Sequence, residues 1–328
     1  MATTTGASRH ATTSGGSRHQ TIRAALDGAL LRMIDHASPR ADDSNGGLIS
    51  RRLSLLALPA LASCGAGPAR RSLTGGIPSG QMAIPRLAAL ASHGTLPGEP
   101  DLVMRWTAIP AGATELRIVV HLHGFSAPDE PLRLLQGRLP GSGLVLPANP
   151  PTIAMLPRGR PSSRRAGAFD FPALAEPGGL QAVVVEALAG FGPRLPPPTR
   201  LLLTAHSGGG SGLARILETS LGGALRVDEA HLFDAIYGDP GPVLRWATMR
   251  ARQQRAGVPP AALAVIARPG TATEGPARRL AAGLARAGLD APRWRVLLTS
   301  APHNDIPRLF GPALLADSMA PLPATSLA

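Results

Sequence analysis

The sequence predicts an α/β protein built on a mostly parallel sheet with helices on both faces. Short apolar runs recur at Leu116–Leu122, Thr152–Leu156, Arg200–Thr204, Ala230–Phe233, Ala261–Ile266 and Trp294–Thr299. Segments with helical spacing separate most of them, and strict strand–helix alternation is the signature of a parallel sheet. Gly124, Ser207, Asp234 and His303 each stand just after a strand. Open α/β sheets place their sites along that carboxyl edge.

The chain has 328 residues, enough for one sizeable α/β domain or two small ones. It is 44% hydrophobic and 3% aromatic, and its 33 basic residues are all arginines. Absence of lysine beside abundant Ala, Gly and Pro points to a coding bias, so the net charge of +12 is no argument for a nucleic-acid partner. The arginines are also scattered, with short doublets such as Arg164-Arg165 and Arg278-Arg279 rather than one stripe. The single cysteine excludes an internal disulfide. No apolar run is long enough to span a bilayer as a helix.

The N-terminal part divides into segments. Residues 2–10 and 11–19 nearly repeat one another and are too polar to bury a core. Residues 1–49 read as low-complexity or misassigned sequence, with Met33 an alternative start. Residues 50–63 carry the pair Arg51-Arg52, a short apolar run and small residues, the composition of an export signal. The arginine pair resembles a twin-arginine signal, departing from it at Ser54. Leu61-Ala62-Ser63-Cys64 resembles the lipobox of bacterial lipoproteins, with Cys64 the acylated residue. The bland alternative is an ordinary helix with a chance cysteine. Residues 64–100 are read as a tether and entry segment, with Gly65–Pro85 as the tether, and 101–328 as the folded domain.

Within that domain, Leu102–Ile109 alternates enough for an early strand, and Gly112–Thr114 makes a turn. Leu116–Leu122 is rich in β-branched residues and runs into His123-Gly124-Phe125. Thr152–Leu156 is a short buried strand, and Leu180–Phe191 a helix stopped by the prolines of 193–198. Arg200–Thr204 leads into Ala205-His206-Ser207-Gly208-Gly209, with a helix over Leu213–Leu221 behind it. Ala230–Phe233 closes on Asp234, and Pro242–Arg255 reads as a helix. Ala261–Ile266 is a strand, and Glu274–Ala287 a helix ended by Gly288. Trp294–Thr299 opens onto Pro302-His303-Asn304-Asp305, and Pro312–Met319 forms a closing helix. The interval from Ser126 to Gly167 has room for a cap but no large apolar lid, which argues against long-chain lipids.

A strand, a tight turn and a helix around Ser207 present its hydroxyl at the sheet end, beside backbone N–H groups. The competing readings are a flexible Gly/Ser loop and a phosphate-binding turn; no lysine follows, which excludes a Walker motif. A serine nucleophile needs a base, an acid to orient the base, and donors for the oxyanion. Of nine histidines only His303 follows the final strand, which makes it the candidate base. Asp234, directly off a buried strand, ranks first among the acids. Glu274 ranks second, its simpler role being a first-turn helix acid with Thr271 or Thr273 as cap, and Asp239 third. The oxyanion donors are the N–H groups of Gly208 and of Phe125 or Gly124. His121 and His123 are spaced i, i+2 with no third ligand nearby, so no metal is expected.

His123-Gly124-Phe125, Ala205-His206-Ser207-Gly208-Gly209, Asp234 and His303 resemble, in type and order, the motifs of the α/β-hydrolase superfamily. The resemblance covers roughly Leu102 to the C-terminus. It implies an eight-stranded, mostly parallel sheet and hydrolysis of an ester or amide through an acyl-enzyme, with no cofactor. It does not imply a substrate. The partners expected are a small ester or amide and, through Cys64, a membrane. The alternative is an inactive hydrolase-fold lipoprotein of the cell envelope that binds without catalysis.

Overall fold

The structure, a computed structural model, describes residues 75–126, 134, 143–163, 166–191, 195–222 and 225–322. The low-complexity start, the signal segment, Cys64 and the first part of the tether lie outside the described residues.

Among the described residues ten strands are formed: β1 Gly80–Ile84, β2 Leu102–Trp106, β3 Arg117–Leu122, β4 Thr152–Pro157, β5 Arg160–Pro161, β6 Phe169–Asp170, β7 Arg200–His206, β8 Glu229–Phe233, β9 Ala262–Ala267 and β10 Trp294–Leu298. Eight of them make one sheet in the order β1-β2-β4-β3-β7-β8-β9-β10. The β1–β2 and β2–β4 pairings are antiparallel and the rest are parallel. The short β5–β6 pair stands apart as a hairpin. The α-helices among the described residues are α1 Pro172–Ala175, α2 Gly179–Ala189, α3 Gly209–Thr219, α4 Gly241–Arg255, α5 Glu274–Arg286 and α6 Ile306–Ala316.

Side-chain alternation along the strands feeds two cores. Ile118, Val120, Leu203, Leu232 and Val265 face one layer, filled by Val183, Leu213, Trp246 and Leu280 from α2, α3, α4 and α5. Val119, Leu202, Phe233 and Ile266 face the other, filled by Ile306, Phe310 and Leu314 of α6. The central strands β4, β8 and β9 are buried on both faces, as parallel strands between helical layers must be.

Three readings of the sequence need correction. The tether does not extend to Pro85, because Gly80–Ile84 is the edge strand of the sheet. Its alternating, half-exposed pattern conceals it in a Gly- and Pro-rich stretch. The residues that follow are docked too. Glu186 accepts the N–H groups of Ala88 and Ala89, both at 2.8 Å, and Asp101 accepts that of Leu87 at 3.0 Å. Next, α3 starts at Gly209 rather than Leu213. A methyl on Gly209 would stand 2.5 Å from the Leu122 carbonyl oxygen, and one on Gly210 would overlap the Ala235 carbonyl. These glycines therefore belong to a helix pressed against two strand ends, not to a loop. Finally, the closing helix starts at Ile306, with Pro307 in its first turn and Pro312 inside it. Pro312 imitates a helix start in the sequence because proline favours that position.

Candidate active site

Ser207 follows β7 directly, with φ of 51°. Its N–H donates to the Phe233 carbonyl at 3.2 Å, and its own carbonyl accepts the Gly210 N–H at 3.1 Å. The chain thus turns sharply from strand into α3 at the serine. Asp234, one residue beyond β8, has φ of 46°, and its N–H donates to the Ile266 carbonyl at 2.7 Å. These two are the only non-glycine residues with left-handed backbone among the described residues. Such a conformation costs about 1–3 kcal/mol, which the packed strand ends must hold in place.

His303 lies in a single 3-10 turn, His303–Asp305, between β10 and α6. Its Nδ1 donates to Asp234 Oδ2 at 2.7 Å, which leaves Nε2 to accept a proton. The His206 Nε2–H donates to the His303 carbonyl at 3.1 Å, and the two rings lie 4.5 Å apart. The neighbour of Ser207 therefore fixes the histidine loop. Asp234 is buried, whereas His303 is 29% exposed and open to a ligand. Burial by itself raises the Asp234 carboxyl. Hydrogen bonds from His303 and Thr273, then the charges of His303 and Arg268, outweigh it and hold the group below the ordinary carboxylate range.

Thr273 is the residue the sequence misplaced. It makes no cap to α5; its hydroxyl donates to Asp234 Oδ1 instead. Thr271 Oγ1 lies 2.9 Å from Thr273 Oγ1 and 2.9 Å from the Arg268 carbonyl oxygen. Both carboxylate oxygens of Asp234 are thus engaged, one by the ring and one by the threonine. The second acid, Glu274, points elsewhere: it accepts the Gly270 N–H at 2.7 Å and the Arg278 Nε–H at 2.8 Å. Asp239 accepts the Gly241 N–H at 2.9 Å ahead of α4.

The loop after β3 closes the site from the other side. A methyl on Gly124 would stand 2.7 Å from Ser207 Cβ and 3.3 Å from its Oγ, so only glycine fits there. A methyl on Gly208 would lie 3.6 Å from the Phe125 nitrogen, which brings the Phe125 and Gly208 backbones face to face. His123 organises this loop. Its Nε2 accepts the Gly159 N–H at 3.0 Å, so Nδ1 carries the proton and donates to the Gly124 carbonyl at 2.9 Å. A peptide plane points its N–H opposite to its C=O, so this bond fixes the direction of the Phe125 N–H. His123 is fully buried against Phe169 and Phe171, and burial pushes its pKa down to about 4, keeping the ring neutral. Behind it Arg158, fully buried, pairs with Asp101 at 2.8 Å. Breaking such a pair costs about 3–5 kcal/mol, enough to disturb the wall that supports the loop. His121 is bound to Thr204 Oγ1 at 2.7 Å on the strand.

The sheet order, the single antiparallel excursion at β2 and the strained serine turn between β7 and α3 decide the fold. The chain has the α/β-hydrolase fold. No protein-family model and no curated protein sequence matches it. Among solved structures the hydrolase fold here is similar to brefeldin A esterase, a bacterial homologue of human hormone-sensitive lipase: 14% identity over 90% of this chain and 81% of that one, TM-score 0.37. It is similar to esterase B from Lactobacillus rhamnosis, solved with a tributyrin phosphonate inhibitor, at 13% identity over 90% and 87%, TM-score 0.40. It is also similar to S-formylglutathione hydrolase from Staphylococcus aureus, at 10% identity over 70% and 95%, TM-score 0.42.

Proposed function

We propose that the protein is a serine hydrolase that cleaves a carboxylic ester or amide through an acyl-enzyme. The observation that carries this reading is the pair of strained residues. Left-handed backbone falls on the serine at the end of β7 and on the aspartate that holds His303, and on no other non-glycine residue described. Strain at two adjacent strand ends is retained where function needs it.

In the proposed reaction Ser207 Oγ attacks the carbonyl carbon while His303 Nε2 takes its proton. Asp234 keeps the ring in the tautomer that can do so and stabilises the imidazolium that forms. The Phe125 and Gly208 N–H groups hold the tetrahedral oxyanion, with Gly208 also at the positive end of α3. Collapse expels the alcohol or amine, which takes the proton from His303. Water, deprotonated by the same nitrogen, then releases the acid and restores Ser207. We further propose that the chain is exported and anchored through an acylated Cys64, as the lipobox resemblance suggests.

The test is covalent labelling of the folded protein with a fluorophosphonate. Labelling that is lost in Ser207→Ala, with ester turnover lost in His303→Ala, is the expected result. If Ser207 stays unlabelled and His303→Ala changes no turnover, the hydrolase reading fails and a non-catalytic binding role stands in its place. Metabolic labelling with a palmitate analogue, abolished by Cys64→Ser, tests the anchor separately.

A further inference from the structure

One charge at the edge of the site has no task in the steps above. Arg268 follows the last residue of β9, whose partner across the sheet is Leu298 of β10. Its carbonyl is tied to the Thr271 hydroxyl at 2.9 Å, in the loop that delivers Thr273 to Asp234. Ala264 and Ile266 of β9 face the layer that holds Phe233 with Ala301 and Ile306 around the His303 loop, and Arg268 is the next residue in that alternation, just past the strand end. Its side chain is half-buried, yet it has no ion pair, hydrogen bond or ring contact among the described residues.

The carboxylates of this edge are already committed. Asp234 is held by His303 and Thr273, Glu274 by Arg278 and the Gly270 N–H, Asp305 by Arg308, and Asp239 by the Gly241 N–H. The protein thus leaves a half-buried arginine without an ion pair at the strand end next to the loop that carries Thr273 to Asp234. A cation withdrawn from water without a partner is unfavourable, and an arriving anion relieves it. Arg268 also helps to keep the Asp234 carboxyl low, so its charge is felt within the site.

We propose that Arg268 is a specificity residue that binds a carboxylate on the substrate, so that the preferred substrate is an ester carrying a second, free carboxylate. The planar guanidinium offers paired donors that match a carboxylate in two-point contact. This rests on the hydrolase reading, and the experiment separates the two. Matched esters are compared: p-nitrophenyl hemiglutarate with p-nitrophenyl valerate for an acyl-side carboxylate, and 4-carboxyphenyl butyrate with phenyl butyrate for a leaving-group carboxylate. In the wild-type protein one charged ester of the two pairs is expected to exceed its neutral match by about tenfold or more in kcat/KM, chiefly through KM. Added salt should erode the advantage.

Arg268→Gln is expected to remove that advantage, its loss falling on the charged ester about tenfold more than on the neutral one, and Arg268→Lys should restore part of it. Equal losses on both esters, an advantage that survives Arg268→Gln, or no advantage in either pair of esters that the protein cleaves would overturn the proposal. Calorimetric binding of glutarate to the Ser207→Ala protein reads the anion site without turnover. If the wild-type protein cleaves none of the four esters and leaves Ser207 unlabelled, glutarate binding that Arg268→Gln weakens about tenfold keeps the anion site and sinks the hydrolase reading.

Discussion

The loops that follow β8 and β9 leave neighbouring strands at the same edge of the sheet, and each carries an acid. The β8 loop reaches its acid at once. Asp234 is the first residue past the strand, buried, with left-handed backbone and a histidine on one oxygen. The β9 loop reaches Glu274 seven residues past its strand, in the first turn of α5. There the carboxylate is spent on the Gly270 N–H and on Arg278, one helical turn on. What this second loop sends inward is the Thr273 hydroxyl. The difference is one of cost. The carboxylate proposed to orient the ring is buried, held on left-handed backbone and hydrogen-bonded at both oxygens. A surface glutamate at a helix start already has its partners and gives nothing to the site.

The first way to break this comparison is Asp234→Asn, which should lower kcat by about four orders of magnitude. Thr273 donates to Asp234 Oδ1, and an asparagine that keeps this bond presents its oxygen there. The asparagine oxygen therefore faces the threonine and its NH2 group faces His303. The ring is driven into the tautomer that carries its proton on Nε2, where it cannot take one from serine. Combining this change with Thr273→Val frees the amide to flip. The double variant should then recover part of the loss, so that the two effects are not additive. Strict additivity in ester kinetics would break the link between the loops.

Thr273→Val alone should cost about tenfold in kcat/KM, the worth of one hydrogen bond to a charged group. Without that donor the Asp234 carboxyl loses one of the bonds that hold it low and rises, so the acid limb of the pH–rate profile should move upward. Thr273→Ser, which keeps the hydroxyl, should return the limb to its place. A valine variant slowed with an unmoved limb would show that Thr273 fills space and nothing more.

Legibility followed the range of the forces involved. Of the six strands from β3 onward that build the sheet, the five before β10 could be read because burial on both faces forces apolar runs, as in β7 and β9, while β10 is half-buried but still apolar at four of its five positions. The edge strand β1 is half-exposed and carries no such run. Gly209, Gly210 and Gly212 look like a loop because their reason for being small, the carbonyls of Leu122, His123 and Ala235 and the ring of Phe171, lies elsewhere in the chain. Thr273 and Asp234 stand 39 residues apart, and the threonine has a plausible local role at a helix start. Nothing in the sequence distinguishes a hydroxyl turned outward to a cap from one turned inward to an acid. His123 is similar: its place beside Gly124 is visible, but not the Gly159 N–H that sets its tautomer.

The smallest expected effect is the one that isolates the second loop. Glu274→Gln removes the charge of the other acid while keeping its size. Since Glu274 touches Gly270 and Arg278 and not His303, kcat/KM and both limbs of the pH profile should stay as they are. The change should appear instead in thermal unfolding, as a slight drop in Tm that salt diminishes, because an exposed pair at a helix start is screened. The direction with pH is also fixed. The Gly270 N–H, then Arg278, holds the Glu274 carboxyl below its usual range in the folded protein. Its contribution is present at neutral pH and is lost as pH falls through that lowered value. Wild type and Glu274→Gln should therefore converge in Tm under acid. A Glu274→Gln protein with intact Tm but failing catalysis would return the acid's role to the β9 loop, and the contact between Asp234 and His303 would then need another purpose.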